Sequence, residues 1–451
     1  MKKIIFVVMI LIFDCCLIWG ISQPKNVIII SVDTLRADHL SCYGYPLNTS
    51  KVIDSLAKDG ILFTKCYTLT PLTTPSFGTM LTSLPPHKHG AKRNGLAVYK
   101  HIKTIPFFLK RYGYRTAAFI SNWPLRKKLL KGDTYFDEYH EVFTKKRYLG
   151  LLNSEGQAPE VNKKVLRWIK SNHKKLFFLW IQYTEPHRPY ILHKNFQFTY
   201  SNINLETYPP GTRMSKIKCY DSEIAFTDHY IGKLIRELKS LGLYDETLII
   251  FHADHGESFG EHNYFRHGRH LYNSTIHVPL IIKLPKNRFQ GVRFEGNVSI
   301  LDIAPTILST MNLKIPPHFE GLTLLRGEHS FVNRAIFLET YKGAVIFRRN
   351  NKKFHMNVKP SVFGVVKGAS KIIFHPKKKL YKVFNLRDDP FEVQNIYFNY
   401  PSTPNLKEIL SNNVKHVTKI LRLVKAYDLK SNTISKDDLE QLKSLGYYDE
   451  K

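Results

Sequence analysis

Residues 26–34 read NVIIISVDT. Val27, Ile28, Ile29 and Ile30 are consecutive, so no register leaves one face of such a strand wet. A run of this kind belongs in a sheet covered on both faces, which favours a parallel one. It ends in Asp33 and Thr34, and open α/β sheets bind ligands beyond the carboxyl ends of their strands. Three later stretches repeat the form of an apolar strand closing in polar residues: YRTAAFIS (114–121), KKLFFLWIQYTEPH (174–187) and ETLIIFHADHGE (246–257). Between them, an apolar period of about 3.6 residues predicts helices over Asp54–Gly60, Thr104–Tyr112, Pro159–Ser171 and Ser222–Leu241. This alternation predicts an α/β fold, a large mostly parallel sheet sandwiched between helices, over residues 24–325. After about residue 325 the strands become short with charged turns: RAIFLET, GAVIFRR, SKIIFHP and YKVFNL. They predict a small antiparallel C-terminal subdomain over 326–451, closing in a helix and polar tail from Pro401 to Tyr448.

The chain has 451 residues, 43% of them hydrophobic, which is ample for a sizeable core. Lys and Arg number 67 against 37 Asp and Glu, a formal charge of +30. That balance favours anionic partners, such as an ester on a glycan or lipid headgroup, and peripheral contact with anionic surfaces. The lysines are spread along the chain and do not alternate with aromatics, so no specific nucleic-acid site is expected. Lys2 and Lys3 precede an apolar run from Ile4 to Phe13, with Gly20 and Ser22 beyond it. Residues 1–22 therefore read as a secretory signal, with an uncleaved anchor as the alternative, and an extracytoplasmic location is expected. Of five cysteines, Cys42, Cys66 and Cys219 follow that segment. They form neither a disulfide framework nor a zinc spacing and read as small buried hydrophobes.

Three polar clusters carry the chemistry: Asp33–Thr34, the hydroxyl-rich turn PLTTPSFGTMLTS (71–83), and ADHGE (253–257). Asp33, Asp254 and His255 offer two carboxylates and an imidazole at strand ends, a donor set for one divalent cation (Ca, Mg, Mn or Zn). Thr34 is a further, neutral ligand.

The stretch from NVIIISVDTLRADHL to SLPPHKHG resembles the N-terminal part of the sulfatase family, within the alkaline-phosphatase-like superfamily. FFLWIQYTEPHRPY, YDSEIAFTDHYIGKLIRELKSLGLYDETLIIFHADHGESFGEH and HVPLII match later family blocks in order, with a weaker echo in YKVFNLRDDPFEVQNI. The resemblance implies an α/β sandwich, a divalent metal, and a covalent intermediate on one residue of the turn. Family members carry Cys or Ser, any residue, Pro, Ser and Arg there, and the cysteine is oxidised to formylglycine. This chain reads Thr73, Thr74, Pro75, Ser76, Phe77. The usual Gly-Lys-x-His block is SNWP (121–124), and the usual Asp-Asp pair is Asp33–Thr34.

These departures bear on the reaction. Formylglycine hydrate expels sulfate by collapsing to an aldehyde. Threonine has a methyl group on Cβ and cannot become one. A phosphorylated Thr73 still has an exit, because water or an acceptor alcohol can attack phosphorus in line. The resemblance thus implies a metal-dependent hydrolase or transferase of anionic esters, with Thr73 as nucleophile and metal contact and with phosphate or phosphonate favoured over sulfate. A sulfate esterase working by hydroxide at the metal is the second reading. A non-catalytic polyanion-binding protein on the same scaffold is the third.

Each residue also has a plainer reading. Thr73 could be a helix N-cap, and Thr74 and Ser76 read as caps. His187, in EPHRP, matches a family active-site histidine and could protonate a leaving oxygen; otherwise it is a turn residue. Among the six histidines of 252–277, His267 is the candidate for contact with the transferring group or a second metal. Arg93 and Asn94 are further contacts, and Arg36 is expected to brace Asp33 or the sheet. The helix beginning near Pro75 is expected to offer free backbone N–H groups to an anion.

Overall fold

The computed structural model describes residues 23–147, 152–200, 212–341, 348–349, 352–353 and 359–423. The signal assigned to 1–22 and the tail beyond 423 lie outside the described residues.

Strand β1 (Asn26–Val32) is buried along its whole length. Helix α1 (Lys51–Lys58) and strand β2 (Ile61–Phe63) follow, then helix α2 (Thr73–Thr82), which carries the hydroxyl-rich turn. Strands β3 (Arg115–Ile120) and β4 (Glu138–Glu141), helix α3 (Ala158–Asn172) and strand β5 (Phe177–Tyr183) come next. Helix α4 (Met214–Ser240) leads to strands β6 (Thr247–Ala253), β7 (Leu280–Lys283) and β8 (Val292–Phe294). They form one eight-stranded sheet in the order β8-β2-β7-β6-β1-β5-β3-β4. Its middle is parallel, as the unbroken apolar runs require, and β7 is antiparallel to both of its neighbours.

Register places the site. Val32 lies level with Tyr183 on one side and Ala253 on the other. Asp33 and Asp254, each the next residue, therefore leave the sheet at the same height on adjacent strands.

Two expectations are corrected. Helix α4 begins at Met214 and not at Ser222, because Ile217, Tyr220 and Ile224 already form a buried stripe among the lysines. In the C-terminal part, the described strand beside β9 (Ala335–Thr340) is β10 (Val362–Lys367), which the sequence reading did not include. Of GAVIFRR, residues 343–347 lie outside the described residues, and among the described residues Arg348–Arg349 pairs with Lys352–Lys353. Strands β11 (Ser370–His375) and β12 (Leu380–Asn385) complete a four-stranded antiparallel sheet. Helix α5 (Thr403–Leu423) covers one face through Leu406, Leu410, Val417 and Leu421. The other face packs Ile336, Leu338, Val366 and Phe384 against Leu271, Tyr272 and Ile276 of the larger unit. A buried pair, Lys371 to Glu392 at 2.6 Å, adds to this join, with Asn273 bonded to both.

Phe77, where the family pattern has Arg, is fully buried. Its ring lies 4.9 Å from that of Trp180 on β5 and 6.1 Å from that of His252 on β6. It anchors α2 to the sheet. Phe77→Ala is expected to cost about 3–5 kcal/mol of stability, read as a lower urea midpoint with unchanged slope.

Candidate active site

Asp33, Asp254 and His255 are completely buried, and one ligand atom from each lies within 4.8 Å of the others. Asp254 Oδ1 accepts the backbone N–H groups of Thr34 (3.1 Å) and His255 (2.8 Å). This leaves Oδ2 facing His255 Nε2 at 3.4 Å, without a hydrogen bond of good geometry among the described residues. His255 Nδ1 donates to the carbonyl of Gly256 at 2.9 Å, so its Nε2 lone pair points into the cluster. Asn122 donates to Asp33 Oδ2. Thr34 adopts a left-handed backbone, φ 56°, and its buried hydroxyl has no hydrogen-bond partner among the described residues.

Burial sets the electrostatics. It raises the Asp254 carboxyl to about 7, against the opposing pull of the two N–H donors. Burial, and then the nearby His267, hold His255 well below its ordinary value, so it is neutral. Two buried carboxylates beside a neutral imidazole and an unsatisfied hydroxyl form an expensive arrangement by themselves. The donor set fits a divalent cation.

Thr73 is the first residue of α2, and its Oγ1 lies 3.3 Å from His255 Nε2 and close to the Asp254 carboxylate. The sequence-predicted residues Asp33, Thr34, Thr73, Asp254 and His255 are thus brought together. His267 sits beside them, its ring 4.3 Å from that of His255 and 5.6 Å from that of His187. His187 thus lies beside His267.

Several smaller expectations change. Neither Thr74 nor Ser76 caps α2: Thr74 Oγ1 donates to Pro124 O at 3.1 Å, and Ser76 Oγ donates to Asp254 O at 2.6 Å. They tie the turn to the segments that follow β3 and β6. The Thr74 N–H is given to Asn94 Oδ1 (2.8 Å), Pro75 has none, and the Ser76 N–H is given to Leu72 O. The start of the helix therefore positions Thr73 more than it offers donors to an anion. Arg36 does not brace Asp33. Its guanidinium pairs with Asp38 and Glu261 and reaches the Glu257 carbonyl, fixing the loop after β6. The remaining histidines of 252–277 have structural partners: His252 meets Ser31, His262 stacks on Tyr272, His270 meets Ser258, and His277 meets the Thr64 carbonyl. Cys66 is buried, but Cys42 and Cys219 are only partly so.

Sequence reasoning assigned no role to two residues. Asn122 lies just past the end of β3, and its position at a strand end was the available signal. Glu257 is fully buried and accepts from Tyr190 Oη (2.9 Å) and His267 Nδ1 (3.2 Å). It joins loops from three parts of the chain, a link without any local pattern.

The family pattern described as Sulfatase matches residues 25–313, and that described as N-sulphoglucosamine sulphohydrolase, C-terminal, matches 260–420. The chain is 26% identical to an uncharacterized sulfatase, YidJ, of Escherichia coli K12 over 361 residues, covering 67% of this chain and 71% of that protein. It is 25% identical to an arylsulfatase of Clostridium perfringens over 397 residues, covering 68% and 82% respectively. Among solved structures, a protein in complex with its substrate D-glucosamine-2-N,6-O-disulfate superimposes with TM-score 0.72 at 20% identity, covering 89% of this chain and 98% of the other. A phosphonate monoester hydrolase of Agrobacterium radiobacter gives 0.69 at 20% identity, covering 88% and 96%. The first pattern alone takes in well over half of the sequence and includes all three polar clusters, and so the chain belongs to the sulfatase family, as a hydrolase acting on ester bonds.

Proposed function

We propose that this enzyme cleaves a phosphate or phosphonate ester in preference to a sulfate ester, through a covalent intermediate on Thr73. The observation that carries this is a threonine hydroxyl, 3.3 Å from His255 Nε2, where the family pattern has a residue that becomes an aldehyde hydrate. Asp33, Asp254 and His255 would hold the cation, with the Thr34 hydroxyl as an added donor. When bound, the cation supplies Lewis acidity that makes the Thr73 alkoxide attainable and offsets charge on the transferring group. Thr73 Oγ1 bonds to phosphorus as the ester bond breaks, and the departing oxygen takes a proton from His267 or His187. Water then attacks phosphorus in line and passes a proton back to that histidine, the bond to Oγ1 breaks, and Thr73 is regenerated as free phosphate or phosphonate is released; an acceptor alcohol in place of water would make the step a transfer. A sulfated Thr73 would lack the collapse to an aldehyde, which is the reason to favour phosphorus.

Phe77 supports the same reading, since no guanidinium enters from that position. An extracytoplasmic location, expected from residues 1–22, and a substrate on a glycan or lipid headgroup are part of this proposal. The names of the relatives favour sulfate, so the assay must compare the two esters directly. With Mn²⁺ present, kcat/KM for p-nitrophenyl phosphate or phenylphosphonate monoester is expected to exceed that for p-nitrophenyl sulfate by at least about tenfold, near 1.4 kcal/mol of transition-state preference. A wide preference for sulfate would overturn the choice of phosphorus.

A further inference from the structure

Two turns meet at one end of the small C-terminal sheet. Lys377, Lys378 and Lys379 fill the turn between β11 and β12, which the Lys379 N–H closes by donating to Pro376 O at 3.3 Å. All three are exposed, and none pairs with a carboxylate among the described residues. Leu380 follows them and is 39% exposed. In the second turn the Asn399 N–H donates to Ile396 O at 3.1 Å. This turn carries Phe398, which is 91% exposed.

A row of rings joins the two turns. Phe374 on β11 and Tyr381 on β12 lie opposite each other and stack at 4.4 Å. Tyr397 stacks on Tyr381 at 5.5 Å, and Phe398 meets Tyr397 edge-on at 5.0 Å. The segment that bears them is tied to β12: the Val383 N–H donates to Asn395 Oδ1, and Val383 O accepts the Ile396 N–H, each at 2.9 Å. From Val383 this segment runs towards Tyr381 and the lysine turn, so hydrogen-bonded backbone holds Phe398 at that end. Lys407 of α5 lies over the Tyr381 ring at 5.2 Å and adds a fourth cation. Residues 359–423 contain twelve Lys and Arg against four Asp and Glu, so the field around this unit attracts anions. Asp388 and Asp389 lie past the opposite end of β12, where Asp389 accepts the N–H groups of Val393 and Gln394.

A phenylalanine projecting into water beside a row of lysines matches a partner with a charged outer layer and an apolar layer beneath it. Lysines meet lipid phosphates at such a surface, and apolar tips enter the acyl boundary below them. An anionic polysaccharide would satisfy the lysines but has no apolar layer for a ring that projects from a turn. We propose that Phe398 and Leu380, with Lys377, Lys378 and Lys379, form a docking surface for an anionic lipid bilayer. None of these residues belongs to the active site, so the inference goes beyond the reaction and holds whichever ester is cleaved.

Co-sedimentation of the full chain with vesicles tests it, using phosphatidylcholine alone and phosphatidylcholine mixed in equal parts with phosphatidylglycerol. The wild type is expected to bind the anionic vesicles about tenfold or more tightly than the neutral ones. Replacing Lys377, Lys378 and Lys379 together by Gln should weaken that binding by about a hundredfold, at about fivefold per lysine. Phe398→Ala should weaken it by about tenfold. These four side chains are exposed, so the variants are expected to fold. Replacing Lys58, Lys174 and Lys175, exposed lysines of the larger unit, by Gln controls for net charge and should change binding by less than about threefold. Attachment through residues 1–22 alone would survive every variant, so a local readout is added. In Phe398→Trp, the emission gained over the wild type should be quenched by anionic vesicles with brominated acyl chains. The proposal falls if the wild type does not prefer anionic vesicles, if both lysine triples weaken binding equally, if Phe398→Ala binds like the wild type, or if the added tryptophan is not quenched. Binding of dextran sulfate through the same lysines, without binding of vesicles, would also overturn it.

Discussion

Thr73→Ala should lower kcat/KM by roughly 10⁴-fold or more, the scale seen when an activated nucleophile is removed from a concerted catalytic group. The substitution deletes one hydroxyl and one methyl from a fully buried position at the first residue of a helix. The helix itself is held by Phe77 in the core and by Thr74 and Ser76 at the segments that follow β3 and β6. Folding should therefore survive, and circular dichroism and thermal melts are expected to match the wild type within a few degrees. Thr73→Ser keeps the hydroxyl and loses the stiffness of a β-branched side chain. It should retain measurable turnover, within about a hundredfold of wild type, because a freer rotamer reduces the fraction of time in an attacking geometry. Equal activity in Thr73→Ala and wild type would remove the nucleophile from the mechanism.

Asp254→Ala should abolish tight binding of a divalent cation and reduce turnover by at least about a thousandfold. This carboxylate has one oxygen tied to two backbone N–H groups and the other left for the cluster, so no neighbouring group can replace it. Its pH behaviour has a definite sign. Burial raises its folded pKa to about 7, above the ordinary carboxylate range. In the metal-free protein the proton is retained below that pH, and a cation must displace it. Apparent Mn²⁺ affinity should thus rise by up to about tenfold per pH unit up to about pH 7 and flatten above it. Stability of the metal-free protein follows the same linkage. The contribution of the neutral carboxyl is fully present below the unfolded pKa and is lost as pH rises through the folded value near 7. Metal-free Asp254→Asn should therefore melt above metal-free wild type at pH 8, and the gap should close by pH 4. Metal titrations and melts across that range check both statements.

The parallel centre of the sheet was legible because Val27–Ile30 and its counterparts on β5 and β6 allow no wet face. The candidate cation site was legible for the same reason: register between uniformly apolar strands brings their terminal acids level. The beginning of α4 was not, because alternating lysines hide the stripe of Ile217, Tyr220 and Ile224. Strand β10 was not picked out, since Val362–Lys367 is a short apolar run interrupted by Gly364 and its pairing with Ala335–Thr340 is distant in sequence. The carboxylates of Arg36, expected to brace Asp33 or the sheet, were not identified, because Asp38 and Glu261 include one far along the sequence. Glu257, quoted within ADHGE, was given no role for a related reason, as its contacts come from Tyr190 and His267 on separate loops.

The most direct test is to quench the wild-type enzyme with acid during turnover of a ³²P-labelled ester and to identify the labelled peptide. The account predicts label on the peptide containing Thr73, on that residue, and none in Thr73→Ala. Turnover with no label on Thr73 at any quench time, or label carried by another residue, would contradict it.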